Sequence, residues 1–339
     1  RVKVGGGPAP ASGNGPDAPS ERFRDDPPLM SRSRIPPWLK RVLLPFWNGA
    51  HRVGWRLGEY LGAVRHGRFG RCDVCGRFGP WLYRRRVIPP RLEELWGLPP
   101  RLAEALARKE SSDCSWCGSK LRARRIARAL LDTFPSGHIP ERSVAGWVRR
   151  PGPRALRVAE INRIEGLHEA IRPLPHLAHS DFTPGTAPGA FVNGVRCEDL
   201  TCLTYPDESF DLVLTSETLE HVPDLSRALS ELHRVLKPGG RHIFSVPLLP
   251  GVPRTFARTV VAPDGSLDRR APEIRHPGGD VGYPVFTEFG ADLPDLLRQA
   301  GFEVEVRFGP TTEDDLAQVF VCTKRSVAGA EKPRPSPTN

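Results

Sequence analysis

From residue 151 onward, short apolar runs alternate with segments whose apolar residues recur every three or four positions, the pattern of strands interleaved with helices. The strand patterns fall at 155–161, 176–181, 195–200, 210–216 and 241–247, and after an insertion at 302–308 and 316–324. Helical spacing fits 166–174, 224–236 and 292–300. In the second of these, Asp224 is placed to cap the first turn. Leu225, Ala228, Leu229, Leu232, Val235 and Leu236 form its apolar face, and Pro238-Gly239-Gly240 stops it. Strands and helices alternating in this way predict an α/β fold with a mostly parallel sheet covered on both faces. A short acidic loop joins the last two strands and leaves no room for a crossover helix, so they should run antiparallel. The expected sheet has five parallel strands plus a terminal antiparallel hairpin.

The first half has another rhythm. Residues 1–36 are rich in Gly, Pro, Ser and Ala and lack periodicity; together with 327–339 they read as disordered tails. Between Trp38 and Val64 apolar residues recur at helical spacing, including Leu43, Trp47, Val53, Leu57 and Leu61, with basic residues opposite and Pro45 as a break. Such a basic amphipathic helix either lies on a membrane surface or packs on the neighbouring domain. Two more helices are expected at 101–109 and 121–134, and Pro151-Gly152-Pro153 marks a boundary. The reading is therefore a basic helical module over 37–150 and an α/β domain over 151–326. No run of eighteen apolar residues occurs anywhere, so no membrane-spanning helix is expected.

Charge sharpens this division. Residues 1–150 carry 29 Lys and Arg against 13 Asp and Glu, whereas 151–339 carry 20 against 26. A basic first half suggests an anionic partner, RNA or a membrane surface; the alternative is a set of solvated helix faces.

The seven cysteines are informative by position. Cys72 and Cys75 form one CxxC pair and Cys114 and Cys117 another, each followed by glycine, while Cys197, Cys202 and Cys322 are scattered. Two such turns can present four thiolates to one ion in a closed tetrahedral site, so structural zinc in a reducing cytoplasm is the expectation. Redox-active thiols and a site that no longer binds metal are the alternatives. The 38 residues from Gly76 to Asp113 must carry a helix of their own.

The most specific stretch is Ser209-Phe-Asp-Leu-Val213, followed by Leu219-Glu-His-Val222 and then by Arg234-Val-Leu-Lys-Pro-Gly-Gly240. In this order and spacing the blocks resemble the class I methyltransferases that use S-adenosylmethionine (SAM), in the type 11-like group. The resemblance covers about residues 154–325 and implies a Rossmann-like methyltransferase sheet. On the same resemblance, Glu160 and Gly166 match the two ends of the loop after the first strand, where the family places glycines against the methionine part of SAM. Asn162 and Ile164 stand where earlier glycines would be, and Asn is the better substitute because it tolerates the left-handed region. Asp181 matches the carboxylate that accepts from the ribose hydroxyls, and Asp199, with Glu198 and Leu200 beside it, matches the adenine contact. Thr215, Ser216 and Glu217 end the fourth strand at the edge where open parallel sheets bind ligands. His221 is a candidate base for a hydroxyl acceptor, or else a packing histidine. His276 and Asp280, in the insertion 250–284, could line the acceptor pocket.

These matches imply methyl transfer from SAM to oxygen or nitrogen of a small molecule or glycan. Two readings compete with it. One is an RNA methyltransferase with a zinc-containing RNA-binding module; the other is a silent binding protein that kept the fold.

Overall fold

The structure is a computed structural model that describes residues 57–65, 68–83, 93–94, 96–137, 140–248, 251–262, 264, 266–276, 282–309 and 316–325. All of these fall within one compact unit, Gly49–Asn339. The two terminal tails, Trp38, Trp47, Trp55 and Asp280 lie outside the described residues. Of the amphipathic stretch, residues 57–64 are described and helical, and their apolar positions Leu57, Leu61 and Val64 are exposed.

Among the described residues, the rest of the N-terminal region is built around a small antiparallel sheet flanked by helices. Strands β1 (Phe69–Arg71), β2 (Phe78–Tyr83) and β3 (Ser112–Cys114) pair in that order, with helix α1 (Pro100–Ser111) leading into β3 and α2 (Leu121–Thr133) following. Both helices lie where the periodicity predicts. Short helices α3 (Val144–Trp147) and α4 (Pro151–Ala155) lead into the main sheet, so the first strand pattern begins in a helical turn.

That sheet is built from β4 (Val158–Ile161), β5 (Leu177–Asp181), β6 (Phe191–Val192), β7 (Val195–Cys197), β8 (Phe210–Ser216) and β9 (Leu236–Ser245), completed at the C-terminus by β16 (Phe302–Arg307) and β17 (Val319–Lys324). Its order is β16-β17-β9-β8-β4-β5-β7-β6. The strands β7, β5, β4, β8 and β9 are mutually parallel, and β17 runs antiparallel to both β9 and β16. The five parallel strands and the terminal hairpin are thus present. The short edge strand β6, paired antiparallel with β7, has no counterpart in the sequence reading. Strand β9 starts five residues early, because Pro238-Gly239-Gly240 forms an irregularity in the β8–β9 ladder rather than a free loop.

Helices α5 (Leu167–Ile171), α6 (Leu225–Val235) and α7 (Leu293–Gln299) connect the strands. Asp224 caps α6, accepting from the Arg227 backbone N–H at 3.0 Å. The period-two alternation of buried strands divides their side chains between two clusters. Val213, Phe244 and Phe320 pack with Ala228, Leu232 and Leu297 on one face. Leu212, Leu214, Ile243 and Val321 pack with Ile126, Leu130, Leu167 and Trp147 on the other. Helix α2 therefore supplies part of the layer that covers the parallel sheet, and Cys72, Val74 and Cys114 belong to the same cluster. One hydrophobic core crosses residue 151. Each fully buried Leu or Ile in it contributes about 1.5–3 kcal/mol.

Among its described residues the insertion after β9 forms the short strands β10 (Phe256–Ala257), β11 (Thr259–Val261), β12 (Leu267–Arg269), β13 (Arg275–His276), β14 (Tyr283–Pro284) and β15 (Thr287–Glu288). The β13–β14 pair carries His276 to the turn after β8, where the Phe286 backbone N–H donates to the Glu220 carbonyl at 2.8 Å.

Candidate functional site

The two CxxC turns meet. The sulfurs of Cys72 and Cys117 are 3.8 Å apart and those of Cys75 and Cys114 are 3.9 Å apart. Four sulfurs held about 2.3 Å from a central ion would lie about 3.8 Å from one another, so the spacing fits a tetrahedral metal. Each turn closes on a left-handed glycine, Gly76 at φ 77° and Gly118 at φ 70°, whose N–H bonds back to the first cysteine's carbonyl. The Ser119 hydroxyl lies 3.4 Å from the Cys72 sulfur and 3.2 Å from that of Cys117. Beside the cluster, buried Arg124 donates to the carbonyls of Ser112 and Ser119 and stacks on Trp81.

On the α/β side, β4, β5 and β7 are parallel neighbours. Glu160, Asp181 and Asp199 therefore stand at the same C-terminal edge. Asp181 is partly exposed; one oxygen accepts from the Arg163 backbone N–H at 2.9 Å, and His179 lies 3.6 Å from the other. Asp199 accepts from the backbone and hydroxyl of Thr201 through one oxygen, both at 2.8 Å. Phe182, directly after Asp181, is 52 % exposed. No motif in the sequence marks it, although an aromatic next to a strand-end acid is a readable signal.

Asn162 takes the left-handed conformation expected of it, at φ 62°, and its side-chain oxygen accepts from the Phe182 N–H at 3.0 Å. The rest of the loop departs from expectation. Ile164 is buried in the core. Gly166 is left-handed too, but it opens onto the second knuckle: a Cβ there would stand 2.7 Å from the Ser119 Cα. Its lack of a side chain serves packing between the knuckle and the loop, where Lys120 also pairs with Glu165 at 3.1 Å.

Several further candidates also turn inward. Glu160 is wholly buried; one oxygen accepts from the Ile164 N–H at 3.0 Å, and the other faces His168 Nδ1 at 2.5 Å and His179 Nδ1 at 3.1 Å. Glu198 is spent on Arg196 and Thr204, Leu200 is buried, and the Thr215 hydroxyl bonds His242 inside the sheet. A polar residue at a strand end does not by itself reveal which way it points; the pleat decides.

Past β8 the edge becomes densely charged. Ser216 pairs with Ser245 at 3.0 Å, and Ser245 donates to Glu217 at 2.9 Å. Glu217 meets Lys109, which reaches in from α1 and also donates to the Val246 carbonyl. Burial raises the Glu217 carboxyl, but Lys109 and Arg122 outweigh it and hold the group below its ordinary value. Glu220 is different. It is wholly buried, neither oxygen has a hydrogen-bond partner among the described residues, and burial, reinforced by Glu217, pushes it well above its ordinary value. His221 Nε2 lies 3.6 Å and His276 Nδ1 3.8 Å from its Oε1. His221 thus reaches the edge as part of a group of three, not as a lone base.

Residues 179–244 match the family model described as "Methyltransferase domain". A 27-O-demethylrifamycin SV methyltransferase from Amycolatopsis mediterranei is 35 % identical over 117 residues, which is 34 % of this chain and 35 % of that protein. A ubiquinone/menaquinone biosynthesis C-methyltransferase from Francisella tularensis is 41 % identical over 58 residues, 16 % of this chain and 23 % of that one. This chain therefore spans about a third or less of the length of the relatives it matches. Among solved structures, an S-adenosylmethionine dependent methyltransferase from Mesorhizobium loti aligns at 21 % identity and a TM-score of 0.35, covering 53 % of this chain and 98 % of that one. The matched stretch, 179 to 244, runs from the middle of β5 into β9.

Proposed function

We propose that this protein is a SAM-dependent methyltransferase acting on oxygen or nitrogen of a small-molecule or glycan acceptor. The observation that carries the reading is the placement of Asp181 and Asp199 at one edge of neighbouring parallel strands, with exposed Phe182 between them in the matched segment. A carboxylate suits two vicinal hydroxyls because each of its oxygens accepts. Asp181 is the residue we assign to the ribose, Asp199 to the adenine amino group, and Phe182 to the face of the base. Bound SAM supplies a sulfonium methyl already activated for transfer, so the protein's part is mainly to hold the acceptor in line and exclude water. A hydroxyl acceptor must also lose its proton, and Glu220, His221 and His276 form the group at this edge suited to that task. The rifamycin relative's name, which speaks of a 27-O-demethyl substrate, is compatible with an oxygen acceptor.

In the same proposal Cys72, Cys75, Cys114 and Cys117 hold a structural zinc ion, supported by the tetrahedral spacing of their sulfurs. The basic first half meets an anionic partner, for which salt-weakened binding of the full chain to RNA or to anionic vesicles is the test. Calorimetry of SAM binding to the purified chain tests the main reading. Saturable binding of about one SAM per chain supports it, and absence of binding leaves only the fold.

A further inference from the structure

Among the described residues, no Lys or Arg lies within ion-pair distance of Glu220. It is fully buried with both oxygens unpartnered among the described residues, and an ionised carboxylate so placed is costly unless a cation or several donors meet it. The two nearby cations are engaged elsewhere, Lys109 by Glu217 at 3.0 Å and Arg122 by Glu110. Neither is within ion-pair distance of Glu220 among the described residues.

Two imidazoles face it instead. Their rings meet edge to face, 5.1 Å between centroids and 86° between planes, and the three ligand atoms lie within 4.8 Å of one another. The His221 tautomer can be read directly. Its Nδ1 lies 2.7 Å from the Pro284 carbonyl oxygen, a bond only an N–H can donate, so in the neutral ring Nε2 carries the lone pair and turns it toward Glu220. A ring N–H anchored on a backbone carbonyl is also the outer support that metal-binding histidines commonly have.

We propose that Glu220, His221 and His276 bind a divalent transition-metal ion at the C-terminal edge of the sheet, leaving coordination positions open to a ligand oxygen. Two imidazoles and one carboxylate suit Zn2+, Fe2+ or Mn2+ better than Ca2+ or Mg2+, whose shells are built from oxygen. Ligands about 2.1 Å from a tetrahedral ion would lie about 3.4 Å apart, so the observed 3.6 and 3.8 Å need close by only a few tenths of an ångström. The two rings are 20 % and 18 % exposed, which gives an ion a way in. Since His276 comes from the insertion and the other two ligands follow β8, the ion would fasten the insertion over the sheet edge. A hydroxyl held on such an ion gives up its proton more readily than a free one, and this last consequence alone rests on the methyltransferase reading. The other histidine–carboxylate group, Glu160 with His168 and His179, differs because the Glu160 oxygens are already taken by Ile164 and His168.

Cobalt(II) is the probe, because thiolate-bound cobalt shows an intense sulfur-to-metal charge-transfer band and a site of two imidazoles and a carboxylate shows none. The full chain, as purified, is titrated with cobalt(II) at neutral pH by absorption and calorimetry. We expect about one ion taken up per chain with weak ligand-field absorption and no charge-transfer band. Glu220→Gln and His276→Gln should each weaken uptake at least about tenfold with the metal-free melting temperature kept, and His168→Gln should change neither. No uptake, uptake of a single ion with a charge-transfer band, or uptake undiminished in both site variants would overturn the proposal. Calorimetry with SAM on the same samples keeps the two readings apart, since SAM binding without cobalt uptake sinks the metal site alone.

Discussion

The ammonium of Lys109 lies 3.0 Å from a carboxylate oxygen of Glu217, a residue 108 positions later in the chain, and the lysine is wholly buried. This pair joins the helix beside the cysteine cluster to the end of β8. Breaking it by Lys109→Met leaves a buried carboxylate unpaired and should cost about 3 kcal/mol at neutral pH. Because Glu217 is held below its ordinary value, the folded protein binds fewer protons than the unfolded chain between the two pKa values. The pair's stabilisation is therefore whole above about pH 4.3, the ordinary glutamate value, and is lost as pH falls through the lowered one. Thermal melting of both proteins across this range should show the gap closing on the acid side. A small gap independent of pH would show that Lys109 merely fills space.

Gly166 and Gly185 share a φ of 76°, yet a Cβ at Gly166 would press on the Ser119 backbone while one at Gly185 would meet nothing within 4 Å. An Ala at either costs about 1–2 kcal/mol for the left-handed backbone. Only Gly166→Ala must also push the knuckle off the loop, so it should melt clearly below Gly185→Ala. Equal melting temperatures would mean that the contact between Ser119 and the loop is loose.

Asp181→Ala should weaken SAM binding about ten- to hundredfold, the worth of a charged partner to two hydroxyls. Asp207→Ala should change affinity little, since that carboxylate is 75 % exposed and pairs with Arg234 in the turn before β8. Asn162→Gly keeps a tolerable backbone, whereas Ile164→Gly removes a buried side chain and should cost about 3 kcal/mol or more. Calorimetry separates affinity from folding here. An unaltered SAM affinity in Asp181→Ala would remove that residue from the site.

Purified without chelator, the protein should carry about one zinc held by the four cysteines. Cys114 sits in the core shared with the sheet, so Cys114→Ser should lower the melting temperature of the whole unit in a single transition. Two separate transitions, with the second unmoved, would show that the cysteine region melts alone.

Periodicity and punctuation were enough to place nearly every long element, because they are local. The alternation of Leu212, Val213 and Leu214 already marks a strand buried on both faces, and Asp224 and Pro238 bracket α6 without reference to anything distant. The two CxxC pairs likewise announce their own meeting, since a knuckle is defined by its own turn. Direction and company are another matter. Whether Glu160 opens to a cleft or folds inward onto His168, whether Gly166 serves a ligand or Ser119, and which carboxylate Lys109 meets depend on residues far away in the chain. Glu220 shows this most clearly. Its place beside His221 is written in the sequence, but its burial without a hydrogen-bond partner among the described residues and its approach to His276 exist only once the insertion is laid over the turn after β8. A charge's cost is set by what surrounds it in space, and that is what the tertiary structure alone decides.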